Sequence, residues 1–171
     1  MKKYIDKGID GWMSEEELQW LFEQAQEMKT ILEIGSFKGR STDALLSSKA
    51  KVTAVDNWVL HWDINNPQHG ETVYKEFLEN TKESKNLEVL MMTSNEAIKN
   101  FPEDESIDMV FMDFTTTYPE YLEAIKKWLP KTKKLICGHE YSEKFPDVIK
   151  AVDEIFGKPD GVIGMIWYKY I

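Results

Sequence analysis

The chain has 171 residues, 42% of them hydrophobic and 30% charged, a length and balance that suit one globular core rather than a disordered chain. Acidic residues outnumber basic ones by 30 to 21, and the net charge of -9 repels phosphate backbones, which argues against nucleic acid as a partner. Cys137 is the only cysteine, so no intrachain disulfide and no cysteine-based metal site can be built. Met1-Lys2-Lys3-Tyr4 has no apolar run behind it, and no stretch has the length of a membrane span. The expectation is a cytoplasmic protein with no membrane association.

The first predicted element is a helix from Ser14 to Met28. Ser14 and Glu17 form a capping box, and Leu18, Leu21, Phe22 and Ala25 make one apolar face. A strand, Thr30 to Ile34, runs into a glycine loop and a helix from Gly39 to Ser48. A second strand, Val52 to Val55, ends on Asp56. Residues 57–70 read as a long loop, followed by a helix from Glu71 to Thr81 and a strand from Leu87 to Met91. Ser94 opens a short helix to Asn100. The strand Ile107 to Met112 ends on Asp113. Pro119 starts a helix that Pro130 stops, and Lys134 to Cys137 is the fifth strand. Pro146 opens the last helix, and Gly161 to Ile171 is a final strand or hairpin. This alternation predicts a single Rossmann-like, doubly wound α/β domain over residues 1–171. Its sheet is mostly parallel, with six or seven strands and an antiparallel C-terminal edge strand or hairpin. Residues 1–29 form an N-terminal helix region.

In an open α/β sheet, ligands bind beyond the carboxyl ends of the strands. That brings together the loop after Ile34, Asp56, Asp113 and the turn Gly138-His139-Glu140. The loop has the pattern Glu33-x-Gly35-x-x-x-Gly39. Gly35 allows a sharp turn off the strand, and Gly39 a close approach of the next helix. The helix N-terminus offers free N–H groups to an anion. Asp56 can accept hydrogen bonds from both hydroxyls of a ribose. Alone, the two glycines would be turn and packing residues; with Glu33 and Asp56 they point to an adenosine-containing ligand. Ser36 and Phe37 interrupt the dinucleotide spacing of three glycines. The bulkier loop suits a smaller anion, an amino-acid carboxylate, with Ser36, Arg40 and Ser41 as donors.

The segment from Ile31 to Thr42, Ile-Leu-Glu-Ile-Gly-Ser-Phe-Lys-Gly-Arg-Ser-Thr, resembles motif I of class I S-adenosylmethionine-dependent methyltransferases. Val52-Thr53-Ala54-Val55-Asp56-Asn57-Trp58 resembles their second motif. Ile9-Asp10-Gly11-Trp12-Met13, Gly138-His139-Glu140-Tyr141, residues 148–154 and Ile166-Trp167-Tyr168-Lys169 resemble the small methyltransferase-24 group more narrowly. The resemblance implies S-adenosyl-L-methionine as cofactor. Glu33, Gly35, Ser36 and Gly39 would line its methionine half. Asp56 would bind the ribose, with Asn57 and Trp58 beside the adenosine and Ser94 and Asn95 near the adenine edge. Asp113 would face the methionine amino group or the transfer site.

Two departures stand out. Relatives commonly carry Asp-x-Asp-His-Ser-Tyr after the fourth strand and Gly-His-Asp-Tyr after the fifth. Here the segments are Asp113-Phe114-Thr115-Thr116-Thr117-Tyr118 and Gly138-His139-Glu140-Tyr141. Threonine is a poor ligand beside carboxylates, so a divalent metal, for which Asp113 and Glu140 could still make a weak site, is possible but not favoured, and no metal ligand is assigned. The sulfonium methyl is already electrophilic, which leaves positioning and proton removal to the protein. His139 is the first candidate for the base, with Glu140 and Asp113 orienting it. The alternative is a turn residue packed under the last helix. Loop 57–70, with Trp58, His61, Trp62, Pro67 and His69, is a lid or acceptor wall, or packs its tryptophans on the sheet edge. The resemblance implies an O-directed methyltransferase acting on a small molecule or carbohydrate. Thr115 and Thr116 keep open a catalytically degenerate cofactor-binding protein, or an enzyme that cleaves the cofactor. A nicotinamide-dependent oxidoreductase is disfavoured by the loop spacing. The tail Ile166-Trp167-Tyr168 is an edge-strand candidate for pairing in a homodimer.

Overall fold

A computed structural model describes residues 3–60, 63, 65–102 and 107–171, with Pro67 described by its backbone alone. His61 and Trp62 lie outside the described residues. Helix α1 (Glu15–Ala25) starts at the expected box, with Ser14 Oγ accepting from the Glu17 N–H and the Glu17 carboxylate accepting from the Ser14 N–H. It ends at Ala25, short of Met28. The chain continues through β1 (Thr30–Ile34), α2 (Arg40–Leu46), β2 (Lys51–Asp56), α3 (Pro67–Thr81) and β3 (Leu87–Met91). Then come α4 (Ser94–Ala97), β4 (Ile107–Met112), α5 (Tyr118–Trp128), β5 (Thr132–Gly138), α6 (Pro146–Phe156), β6 (Gly161–Ile163) and β7 (Ile166–Tyr170). Helix α3 begins at Pro67 rather than Glu71, because proline suits a first helical turn whose N–H groups have no partner. The predicted 57–70 loop is shorter by that turn.

The seven strands lie in the order β3-β2-β1-β4-β5-β7-β6. The first five are parallel, and β7 runs antiparallel between β5 and β6. The tail is therefore not a free edge for a second copy. Leu135 to Gly138 pair with one side of β7, and β6 covers the other. Alternation along the strands sorts the core. Ile31, Met109, Phe111, Leu135 and Cys137 pack with α1 and α2. Leu32, Ile34, Val110, Met112 and Ile136 pack with α5 and α6. With helices on both faces, β4 is buried along its whole length, as a central parallel strand should be. The order reverses between β1 and β4, and a crevice opens at that switch point. Among the described residues, no helix is long and apolar enough to cross a membrane.

Candidate functional site

A cleft of about 1070 Å³ opens at the carboxyl ends of β1, β2, β4 and β5. Its wall includes residues 34–37, 56–60, 92–95 and 113–117, with His139, Glu140 and the N-terminal residues 11–13. Gly35 makes the crossing at the switch point. Its φ is +89°, and a Cβ there would stand 2.0 Å from the Asp113 carbonyl oxygen. Only glycine lets the loop pass so close to the end of β4.

On the β1–β2 side, the loop is organised around Asp56. Its Oδ2 accepts the N–H of Ser36 at 2.9 Å and of Phe37 at 3.0 Å, and its Oδ1 accepts the N–H of Trp58 at 2.7 Å. A carboxylate has about four lone-pair sites, so room remains for one ligand hydroxyl rather than the expected pair. Several donors of the expected anion cradle are already engaged. The amides of Gly35, Ser36, Phe37 and Gly39 all donate within the protein. Arg40 is engaged as well, donating to the carbonyls of Met13 and Ile9 and pairing with Asp6. Two of the loop's amides, those of Ser36 and Phe37, thus grip one of the chain's own carboxylates.

Glu33 and Gly39 are not on the cleft wall. Strand alternation points Glu33 toward α2, where it is fully buried. It accepts from the hydroxyls of Ser41 at 2.6 Å, Thr42 at 2.5 Å and Ser36 at 2.8 Å. Burial pushes its carboxyl up to about 7, with the three hydroxyls pulling against that and Asp113 adding to it. Gly39 instead lets α2 meet α3, since a Cβ there would lie 3.3 Å from the Phe77 ring. Trp58, Asn57, Ser94 and Asn95 do reach the cleft. Trp58 is nonetheless mostly core, donating from its ring nitrogen to the Phe37 carbonyl at 2.8 Å and packing on Tyr74 and Phe77. Ser94 Oγ accepts from Trp128 Nε1 at 2.9 Å, and Asn95 Oδ1 accepts from Lys127 Nζ at 2.8 Å. His69 faces Asp63 at 2.8 Å and is not part of the wall.

On the β4–β5 side, Asp113, His139 and Glu140 bring potential ligand atoms within 4.8 Å of one another. His139 is 3% exposed. Its Nε2 lies 3.2 Å from Glu17 Oε1, and its Nδ1 lies 3.7 Å from Asp113 Oδ1. Burial alone would lower its pKa, but Asp113 and Glu17 together outweigh burial and hold it at about 10. The ring is therefore an imidazolium at neutral pH. A ring held in that form has no lone pair with which to take a proton, which favours Glu140 over His139 as the candidate base. As arranged, Asp113 and His139 form an ion pair with Glu140 beside them. Glu140 is different. Burial pushes its carboxyl up to about 7, Asp113 adds to the shift, and His139 opposes it. Its backbone sits at φ +67°, a strained conformation for a side chain of this kind. On the same cleft wall, Thr115 and Thr117 both donate to Glu120, at 2.7 and 2.9 Å.

Glu17 escaped the sequence reading as a site residue, because the capping box already accounts for an acid at that position. Trp12 escaped it too. Its ring lies 4.9 Å from that of Phe37 at the cleft, and an exposed aromatic after Gly11 was the available signal.

The sequence model of one family, described as Methyltransferase domain, matches residues 32–141. The chain belongs to this methyltransferase family. The matched segment runs from β1 to the turn after β5. It thus holds the loop, Asp56, Asp113, His139 and Glu140 but not Glu17. No curated protein matches the chain by sequence. Among solved structures, the methyltransferase PaMTH1 of Podospora anserina, crystallised with SAH, is similar with a TM-score of 0.69 and 12% identity, over 94% of this chain and 80% of that one. The O-methyltransferase from Bacillus cereus in complex with SAH gives 0.68 and 16%, over 97% and 84%. TomG, an O-methyltransferase from Streptomyces achromogenes involved in tomaymycin synthesis and crystallised with SAM, gives 0.66 and 16%, over 87% and 71%. At such identities the likeness is one of fold, the Rossmann-like architecture of class I methyltransferases.

Proposed function

We propose that the cleft binds S-adenosylmethionine and that the protein transfers its methyl group to a hydroxyl of a small molecule or carbohydrate. One observation carries the reading: Asp56 and Asp113 flank the same Gly35 loop, one held by its amides and the other packed against Gly35. A crevice with a hydroxyl acceptor at one end and an anion at the other suits a ligand with a ribose and a cationic amino-acid end. The residues present fit that ligand. Asp56 takes a ribose hydroxyl, Asn57 and Trp58 flank the adenosine, Ser94 and Asn95 meet the adenine edge, and Asp113 faces the ammonium. The family match and the SAM- and SAH-bound neighbours support the same cofactor.

When bound, this cofactor supplies an electrophilic methyl group on sulfur. The chain's own residues then have to position an acceptor hydroxyl and take its proton. In this reading Glu140 is the base. It lines the cleft, and its carboxyl titrates near neutrality. Val59, Leu60, Thr115–Thr117 and Phe145 form the acceptor wall, and residues 1–171 act as one domain. Isothermal titration with SAM, SAH and NAD tests the cofactor; binding of NAD without either adenosylated ligand would sink the proposal. Release of SAH on addition of candidate acceptors tests transfer. A cofactor-binding protein without transfer is the second reading, favoured because the Thr115 and Thr117 hydroxyls are both turned to Glu120. SAH binding with no turnover across a broad panel of hydroxylated acceptors would select it.

A further inference from the structure

We infer that Glu17, on α1 and away from the cleft wall, is the positioning residue of the transfer site, acting through His139 to hold the Asp113 carboxylate in place. The inference rests on the reading that Asp113 faces the cofactor. Capping alone does not explain this side chain. The box Thr93–Glu96 at α4 does the same capping with an exposed glutamate whose carboxylate bonds only to its cap. Glu17 is 2% exposed and has two more partners. Its Oε2 accepts the N–H and hydroxyl of Ser14 at 2.7 and 2.8 Å. Its Oε1 accepts the Met165 N–H at 2.7 Å and faces His139 Nε2 at 3.2 Å. The turn between β6 and β7 packs directly on it, since a Cβ at Gly164 would stand 2.5 Å from Oε1. A carboxylate held by three segments cannot swing, and it clamps the ring whose other nitrogen faces Asp113.

The charged groups around that ring are Glu17 from α1, Asp113 from the end of β4 and Glu140 beside it; the Tyr121 hydroxyl of α5 contacts the His139 carbonyl. If the ring were neutral, Asp113 would lose its cationic partner, and Glu140, already raised by burial and by Asp113, would be raised further. Glu17, by holding the ring charged, keeps both in register.

The test uses Glu17→Gln, which keeps the shape and removes the charge. Imidazole nitrogen shifts are followed by NMR in the full chain, with the His139 signal assigned from His139→Gln. SAM affinity is measured by isothermal titration near pH 6 and near pH 8. In the wild type, the His139 ring is expected to stay doubly protonated across that range. In Glu17→Gln it is expected to titrate within it. The ratio of SAM affinity at the higher pH to that at the lower is expected to drop by about tenfold relative to the wild type. A merely structural Glu17 would weaken binding equally at both pH values, and that result, or an unchanged ratio, overturns the proposal. A wild-type His139 ring that loses its proton between those values overturns it too, even if the variant fails to fold. If wild-type protein binds no SAM at all, the cofactor reading fails, while the ring titrations still decide whether Glu17 controls His139.

Discussion

The two halves of the cleft handle a buried carboxylate in opposite ways. Glu33, under the β1 loop, accepts from three neutral hydroxyls and is pushed up to about 7 by its burial. Glu17, behind the β5 turn, is also buried, yet its hydrogen bonds to His139, Met165 and Ser14 overcome that penalty and lower it to about 2. Hydroxyls satisfy the lone pairs of a carboxylate but do not neutralise its charge. A cation does both. The first half is therefore built on a carboxyl that titrates near physiological pH, and the second on an ion pair.

The largest expected effect removes the carboxyl that the three hydroxyls share. Glu33→Ala leaves the hydroxyls of Ser36, Ser41 and Thr42 buried without their acceptor, and we expect a loss of about 3 kcal/mol in denaturant unfolding. A loss below about 1 kcal/mol would mean the three hydroxyls find other partners. The pH dependence sharpens the contrast. Because Glu33 is raised from 4.5 to about 7, its contribution to stability falls as pH climbs through that range. The His139–Glu17 pair behaves otherwise. Glu17 contributes fully above 4.5 and loses its contribution as pH falls through about 2; His139 contributes fully below 6.5 and loses its contribution as pH rises through about 10. Unfolding curves collected between pH 4.5 and 6.5 should fall more steeply with pH in the wild type than in Glu33→Ala, which keeps the slope of Glu140, raised from 4.5 to about 7 as well.

Next in size is Glu140→Gln, expected to lower turnover about 100-fold, or ~2.7 kcal/mol, with SAH affinity within about twofold of wild type. Full turnover in that variant would remove Glu140 as the base. Asp56→Ala is expected to weaken SAM binding about tenfold, ~1.4 kcal/mol, by freeing the loop amides as well as losing the ribose contact. Unchanged affinity in a titration would detach Asp56 from the ligand. The smallest effect is Ser94→Ala, which strips Trp128 Nε1 of its acceptor and should lower thermal stability by about 1 kcal/mol. An unshifted melting curve would show that another group takes that N–H.

Much of the β1–β2 half was legible in the sequence because its contacts are local. Ser36, Ser41 and Thr42 lie within one turn and one helix of Glu33, and the spacing of Gly35 and Asp56 follows from one strand–helix–strand unit. Two things there were not legible. Which face of β1 carries Glu33 depends on register with β2 and β4, and the loop amides were already committed to Asp56. The β4–β5 half was legible only as a set of residue types. Asp113, His139 and Glu140 were recognisable as a cluster, but the charge state of the ring depends on Glu17, which is 122 residues away.

The sequence by itself determined the order of strands and helices, the capping of α1 by Ser14, the glycine at the switch point and the strand ends at which the polar residues gather. Periodicity and local chemistry suffice for these, because each depends on neighbours within a few residues. Only the tertiary structure decided that Glu33 turns away from the cleft, that β7 lies inside the sheet and that His139 is paired with Glu17 and Asp113. Each of these is set by burial or by a charge from a distant segment, and neither quantity exists until the sheet has formed.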